Sequence, residues 1–399
     1  MRDVILRILK EMFFAIADLW IIILSFIIPK DQNLFCFNSY FGEKFFGNPK
    51  YLYLYFSREG KKCVVLCTRD ELCRNLKQLG INATKRMSIP GFITVLRCRY
   101  FFIDWGARGI TLSNVGAALG NFNIIQTWHG VGFKEIELLM KPRNLIDRLE
   151  RFITRLYGVR YYFVIATSEH IKKKFERAFG SKRVFITGMP RNDVLFNKSL
   201  LFNDYKKTLK LENFSRVILY APTYRENNRI PPFTREFLLK LDSWLSRNNS
   251  ILLVKRHVND NTLKIPDGLR FIKDVSDIVD DIQDLLPHVH ILISDYSSVV
   301  TDFALLRRPI ILYLYDVEDY ITRDRSLYFD PKEVFPGPFA YTEEELFELL
   351  KNPSWFEEPS YKSRYDSFLD FYHKYKDGKS CERIEMLLNK LNKRVRIHV

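Results

Sequence analysis

The chain has 399 residues, 47% hydrophobic and 27% charged, and its 62 lysines and arginines outnumber 47 acidic residues for a formal charge of +15. This composition excludes a disordered polymer and supplies enough apolar material for two domains with cores of their own. The positive excess, together with 21 tyrosines and 33 phenylalanines, suits nucleic acid, an anionic membrane surface or a phosphorylated substrate, and charge alone does not choose among them.

Residues 1–30 differ from the rest. Met12 to Ile28 is an apolar run broken by Asp18, with Arg2, Arg7 and Lys10 before it and Lys30 after it. A spanning helix needs about 20 apolar residues, and this shorter run carries a carboxylate near its middle. Pro29 to Gln32 offers no small-residue cleavage site. The reading is an uncleaved membrane-associating helix lying in the interface, its basic residues near anionic headgroups; a helix buried on the main body and a true span are the alternatives. The cysteines at 36, 63, 67, 73, 98 and 381 include one half-site spacing, Cys63 with Cys67, and no second pair, so they read as reduced thiols and no metal site is expected.

From Leu34 onward, short apolar runs alternate with amphipathic or loop segments. They are Leu34–Phe37, Cys63–Cys67, Tyr100–Ile103, Asn123–Trp128, Tyr161–Ala166 and Val184–Thr187, then, after a polar stretch, Arg216–Ala221, Ile251–Lys255, Leu269–Ile272, Ile291–Ser294 and Ile310–Tyr315. This is the pattern of parallel α/β sheets, and two series of similar size predict two Rossmann-type domains facing across a cleft. Residues 31–200 form the first, 201–380 the second, and 381–399 a basic tail.

In open parallel sheets, ligands bind beyond the carboxyl ends of the strands, so the residues after each run are the candidates. They are His129 and Gly130 with Lys134 beyond; Gly188 to Asp193, containing Arg191; Thr223 and Arg225; Lys255 and His257; and Asp295, Ser297 and Ser298. The last group ends a strand and opens a predicted helix over Ser297–Arg308, where unpaired amides and the positive end of the helix dipole favour phosphate. Each also has a plainer reading: Ser297 as a helix cap, Arg191 and Arg225 as solvated loop charges, His257 as a strand-end residue. Their shared placement carries the functional reading.

The ordered set Thr127–Gly130 with Lys134, Gly188–Asp193, Tyr220–Arg225, Lys255–His257 and Ser294–Ser298 with Asp302-Phe303 resembles the CDP-glycerol glycerophosphotransferases, the teichoic-acid and capsule polyol-phosphate transferases. Asn48-Pro49-Lys50, and Tyr328 with Asp330, are similar too, so the likeness covers roughly residues 34–350. Val131-Gly132-Phe133, Val258 and His288-Val289-His290 depart from the family's pattern, which leaves the polyol and the acceptor open.

The resemblance implies a GT-B-like fold on the cytoplasmic face of the membrane, with an acceptor domain followed by a CDP-donor domain. It implies a CDP-glycerol or CDP-ribitol donor and a lipid-linked acceptor, no nucleic acid, and release of CMP. On this reading His129 is the base, and His257, Lys255 and Arg225 neutralise the diphosphate. Thr223, Ser297 and Ser298 cradle it, Asp295 orients, and Gly130, Lys134, Arg191 and Asp193 support the site. No cofactor is required, and a Mg²⁺ bridging the diphosphate is compatible with it. The rivals are a nucleotide-sugar glycosyltransferase on the same fold and a non-catalytic protein binding membrane or nucleic acid.

Overall fold

The computed structural model describes residues 13–14, 16–142, 145–225, 230–256, 263, 265–323 and 326–397. The chain divides into two compact units, Met1–His129 with Ile136–Asp193 and Asp377–Val399, and Gly130–Glu135 with Val194–Lys376.

The first unit begins with helix α1 (Leu19–Ile27), followed by β1 (Asp31–Asn38), α2 (Gly47–Arg58), β2 (Lys62–Cys67), α3 (Asp70–Gln78), β3 (Ala83–Lys85), α4 (Ile89–Arg97) and β4 (Cys98–Ile103). It continues through α5 (Asn114–Leu119), β5 (Ile124–Gln126), α6 (Leu145–Arg160), β6 (Phe163–Ala166), α7 (Glu169–Phe179) and β7 (Val184–Ile186). The seven strands form one sheet in the order β3-β2-β1-β4-β5-β6-β7, and every pairing is parallel. Helices cover the strands, so the runs are apolar on both faces rather than alternating. Aromatic side chains fill this core: Phe37 stacks on Phe102 with centroids 5.0 Å apart, and Phe35 meets Phe56 edge-on at 5.0 Å. Much of the phenylalanine content that could have suited base stacking is thereby buried.

The second unit has β8 (Arg216–Tyr220), α8 (Arg235–Arg247), β9 (Ser250–Val254), β10 (Ile272–Asp274), β11 (Ile291–Ser294), α9 (Val299–Ala304), β12 (Ile310–Tyr313), β13 (Phe339–Ala340), α10 (Glu343–Lys351) and α11 (Pro359–Tyr372). Its six strands run β10-β9-β8-β11-β12-β13, again all parallel. Leu238, Leu241, Leu245, Leu346 and Leu350 pack on Leu252, Ile293 and Ile311 to make its core. Both units are therefore Rossmann-like, as a GT-B fold requires.

The segment predicted as the basic tail forms α12 (Ser380–Ile397) and belongs to the first unit. Tyr55 Oη donates to Glu385 at 2.7 Å, and Asn392 Oδ1 accepts from Tyr100 and Arg99. Residues 130–135 belong to the second unit, where Tyr328 N donates to Phe133 O at 2.6 Å and Thr301 Oγ1 to Val131 O at 2.6 Å.

The N-terminal helix is held by its polar residues. Asp18, fully buried, accepts from Leu112 N at 3.0 Å, Ser113 N at 2.8 Å and Ser113 Oγ at 2.7 Å. Ser25 Oγ accepts from Asn121 N at 2.9 Å. Among the described residues no helix is long and apolar enough to cross a membrane.

Candidate functional site

In each sheet the strand order reverses once, between β1 and β4 in the first unit and between β8 and β11 in the second. Crevices open at such switch points, beyond the carboxyl ends of the strands.

In the first unit, β4 delivers Asp104 and Trp105 and the neighbouring β5 delivers Trp128 and His129. Asp104 Oδ1 accepts from Tyr40 N at 3.0 Å, tying the loop after β1 to the end of β4. Its backbone carbonyl lies 3.2 Å from His129 Nδ1. A carbonyl only accepts, so the proton sits on Nδ1 and the imidazole lone pair on Nε2. Two indoles pack against the ring. It stacks on Trp105 at 4.5 Å and 13° and meets Trp128 at 4.1 Å.

The turn carrying His129 needs unusual backbone: Trp128 has φ 53° and Gly130 φ 147°, a value that a side chain at 130 would oppose. Its carbonyls are held by the other sequence motifs. Asn48 Nδ2 donates to Thr127 O at 3.1 Å and Trp128 O at 2.7 Å, its Oδ1 accepts from Arg191 N at 3.1 Å, and Arg191 Nη1 donates to His129 O. Arg191 therefore secures the turn's backbone. Asp193 caps α12, accepting from Ser380 N and Cys381 N at 2.9 Å each. Burial raises its pKa, and these two amides pull the other way.

In the second unit, the loop after β8 and the loop after β11 are joined through Asp295, which accepts from Thr223 N at 2.9 and 3.1 Å on its two oxygens. The Arg225 guanidinium completes the junction: Nε and Nη2 reach Asp316 at 2.8 and 2.9 Å, and Nη1 reaches Asp295 and Thr223 O at 2.6 Å each. Only 3% of its side chain is exposed, and it lies 4.9 Å from the Tyr320 ring, which stacks on Tyr296 at 4.2 Å. Burial works against its charge, but Asp295 and Asp316 outweigh that and hold the guanidinium well above its ordinary pKa.

The expectation that Arg225 meets the diphosphate does not fit this placement, because four of its five N–H donors are taken by two buried carboxylates and a carbonyl. Sequence reading missed Asp316, whose only signal was its position just past an apolar run, and likewise Trp105.

The hydroxyls are placed as expected at a strand end. Ser297 and Ser298 are half-buried, and Thr223 Oγ1 is buried with no hydrogen-bond partner among the described residues. The helix they precede is shorter than predicted, Val299–Ala304, and Ser298 at its start makes no side-chain cap. Gly132 lies against them, an added Cβ falling 3.3 Å from Ser298 Cα, and Lys134 pairs with Leu327 across an antiparallel bridge. Lys255 Nζ donates to Ser276 O at 3.0 Å. His257 lies outside the described residues.

His288 and His290 fall at the other end of the sheet, where His290 Nδ1 accepts from Val217 N at 3.0 Å near the start of β8. Among the described residues no group of three or more His, Cys, Asp or Glu side chains could hold a metal ion.

A family profile described as CDP-Glycerol:Poly(glycerophosphate) glycerophosphotransferase matches residues 21–390. The chain belongs to that family. The teichoic acid glycerol-phosphate transferase of Staphylococcus aureus is 28% identical to it over 376 residues, 89% of this chain and 92% of that protein. The teichoic acid poly(glycerol phosphate) polymerase of Bacillus spizizenii is also 28% identical, over 86% of this chain and 89% of its own length. Among solved structures, the wall teichoic acid polymerase TagF aligns with a TM-score of 0.77 at 23% identity, covering 96% of this chain and 93% of that one. At that identity the likeness is one of fold, and it agrees with two parallel-sheet units of the GT-B class.

Proposed function

We propose that this family member transfers glycerol phosphate, or ribitol phosphate, from its CDP ester to a hydroxyl of a lipid-linked acceptor, in teichoic-acid or capsule-type polymer synthesis. The acceptor oxygen attacks the β-phosphorus, forming a new P–O bond. The bond from that phosphorus to the bridging oxygen breaks, and CMP leaves with the electron pair. The acceptor proton goes to His129 Nε2.

The observation that carries this reading is the His129 arrangement, in which a carbonyl fixes the tautomer and two indoles fix the ring plane. In the second unit, Thr223, Ser297 and Ser298 supply hydroxyls for the diphosphate, and Lys255 with His257 supplies positive charge. Arg225 acts through Asp295 and Asp316, holding the Thr223 and Ser297 loops in register. Asp295 orients, while Arg191, Gly130 and Lys134 shape the backbone around the base. The work is done at the cytoplasmic face of the membrane, with the N-terminal helix lying on an anionic surface.

A donor panel of CDP-glycerol, CDP-ribitol and UDP-sugars, read by CMP or UDP release and product mass, tests the reaction. His129→Ala is expected to lower turnover by about 10²- to 10⁴-fold without changing thermal stability. Unchanged turnover would remove His129 from the chemistry, and release of UDP alone would favour a sugar transferase.

A further inference from the structure

Helix α1 is amphipathic in reverse. Its N-cap Asp18 and its Ser25 face the protein and are fully buried, while Trp20, Ile23, Phe26 and Ile27 on the helix, and Phe13 and Ile16 before it, are each at least half exposed. A helix on a water-facing surface shows the opposite pattern. Gly116 permits this docking, since a Cβ there would stand 2.3 Å from Asp18 Oδ2. Beside α1, helix α4 adds more uncovered apolar surface, with Ile89 79% and Met87 just before it 66% exposed. Between the two helices runs a groove of about 370 Å³ walled by Ala17, Trp20, Met87, Ile89 and Phe92, with Arg86 along it.

Arg86 supplies the charge. Its Nη1 donates to the carbonyls of Arg108 and Thr111, and no carboxylate among the described residues forms an ion pair with it. Asp18 lies within its field but is already engaged by two amides and a hydroxyl. An apolar channel among exposed apolar side chains, bordered by a guanidinium that forms no ion pair among the described residues, has the chemistry to take a hydrocarbon tail joined to an anionic head.

We propose that this groove seats one anionic phospholipid of the bilayer, an acyl chain between α1 and α4 and the phosphate beside Arg86. The site rests on the membrane part of the function above and not on the transfer chemistry. It makes the N-terminal helix one wall of a lipid site built with residues 86–92, rather than a detachable anchor.

The test uses full-length protein in mild detergent, offered equal phosphatidylglycerol and phosphatidylcholine and read by native mass spectrometry. The wild type is expected to retain one phosphatidylglycerol, favoured at least fivefold over phosphatidylcholine. Ala17→Phe, which fills the groove, lowers retention at least fivefold, and Arg86→Gln abolishes the preference while keeping the lipid. Ile89→Ser, a change at a largely exposed position, lowers retention without risk to the core. A wild type that retains no phospholipid, or Ala17→Phe and Ile89→Ser proteins that retain it fully, overturns the proposal; an unchanged preference in Arg86→Gln overturns the headgroup assignment. CMP release from CDP-glycerol with a soluble acceptor separates the two ideas, because an inactive protein that still retains lipid counts only against the transfer reading.

Discussion

Replacing Arg225 by Met separates a structural clamp from a donor ligand. The substitution keeps an apolar stem of similar length but deletes the guanidinium, leaving Asp295 and Asp316, whose side chains are 2% and 5% exposed, buried without their cation. Removing one partner of a buried ion pair costs about 3–5 kcal/mol, since the remaining charge is neither solvated nor paired. For a unit of this size about 1 kcal/mol moves the midpoint by roughly 2–4 °C, so a fall of about 6–20 °C is expected. Thermal unfolding followed by circular dichroism reads it directly. The reasoning fails if Arg225→Met unfolds at the wild-type temperature while its affinity for CDP-glycerol drops a hundredfold, for then the side chain reaches the donor.

Changing Ser297 and Ser298 together to Ala should weaken CDP-glycerol binding by roughly 5- to 160-fold, two hydrogen bonds at about 0.5–1.5 kcal/mol each, measured by calorimetry. Gly116→Ala pushes Asp18 off the amides of Leu112 and Ser113. It should cost about 1–3 kcal/mol, read by chemical denaturation in detergent. Burial and the charges of Lys198, Lys206 and Arg308 lower the pKa of His288, with Asp204 opposing them. The unfolded chain then binds the proton more readily, so His288 contributes its full stability above its unfolded pKa near 6.5, and that stability is lost as pH falls toward the lower folded value. His288→Gln should flatten the midpoint's dependence on pH below about 6.5.

The two sheets were legible because their strands are continuous apolar runs, and eleven of the thirteen strands overlap a predicted run. The two that were missed, Ala83–Lys85 and Phe339–Ala340, are edge strands of three and two residues, too short to show a period. The run Leu269–Ile272 marked its strand but ended where the strand begins, at Ile272.

The strand-end rule put His129 and Ser297 among the candidates. Applied with equal care to Tyr100–Ile103 it would have named Asp104 and Trp105, the residues that set the histidine's proton and plane. What no local pattern could reveal is the Arg225 clamp, because its partners lie 70 and 91 residues downstream and an arginine in a loop reads as solvated. His288 and His290 drew attention by their identity, whereas their position at the start of the strands belongs to the scaffold.

Asp18 finds its amides 94 and 95 residues later in the chain. Translation proceeds at about 5–20 residues per second, so on the order of ten seconds pass before the docking partner of the first helix has even been made. During that interval the newborn protein displays a bare greasy segment, and a ribosome working beside the bilayer would shelter it from aggregation. Production away from lipid should therefore lose material at birth, before the finished fold is ever put to the test.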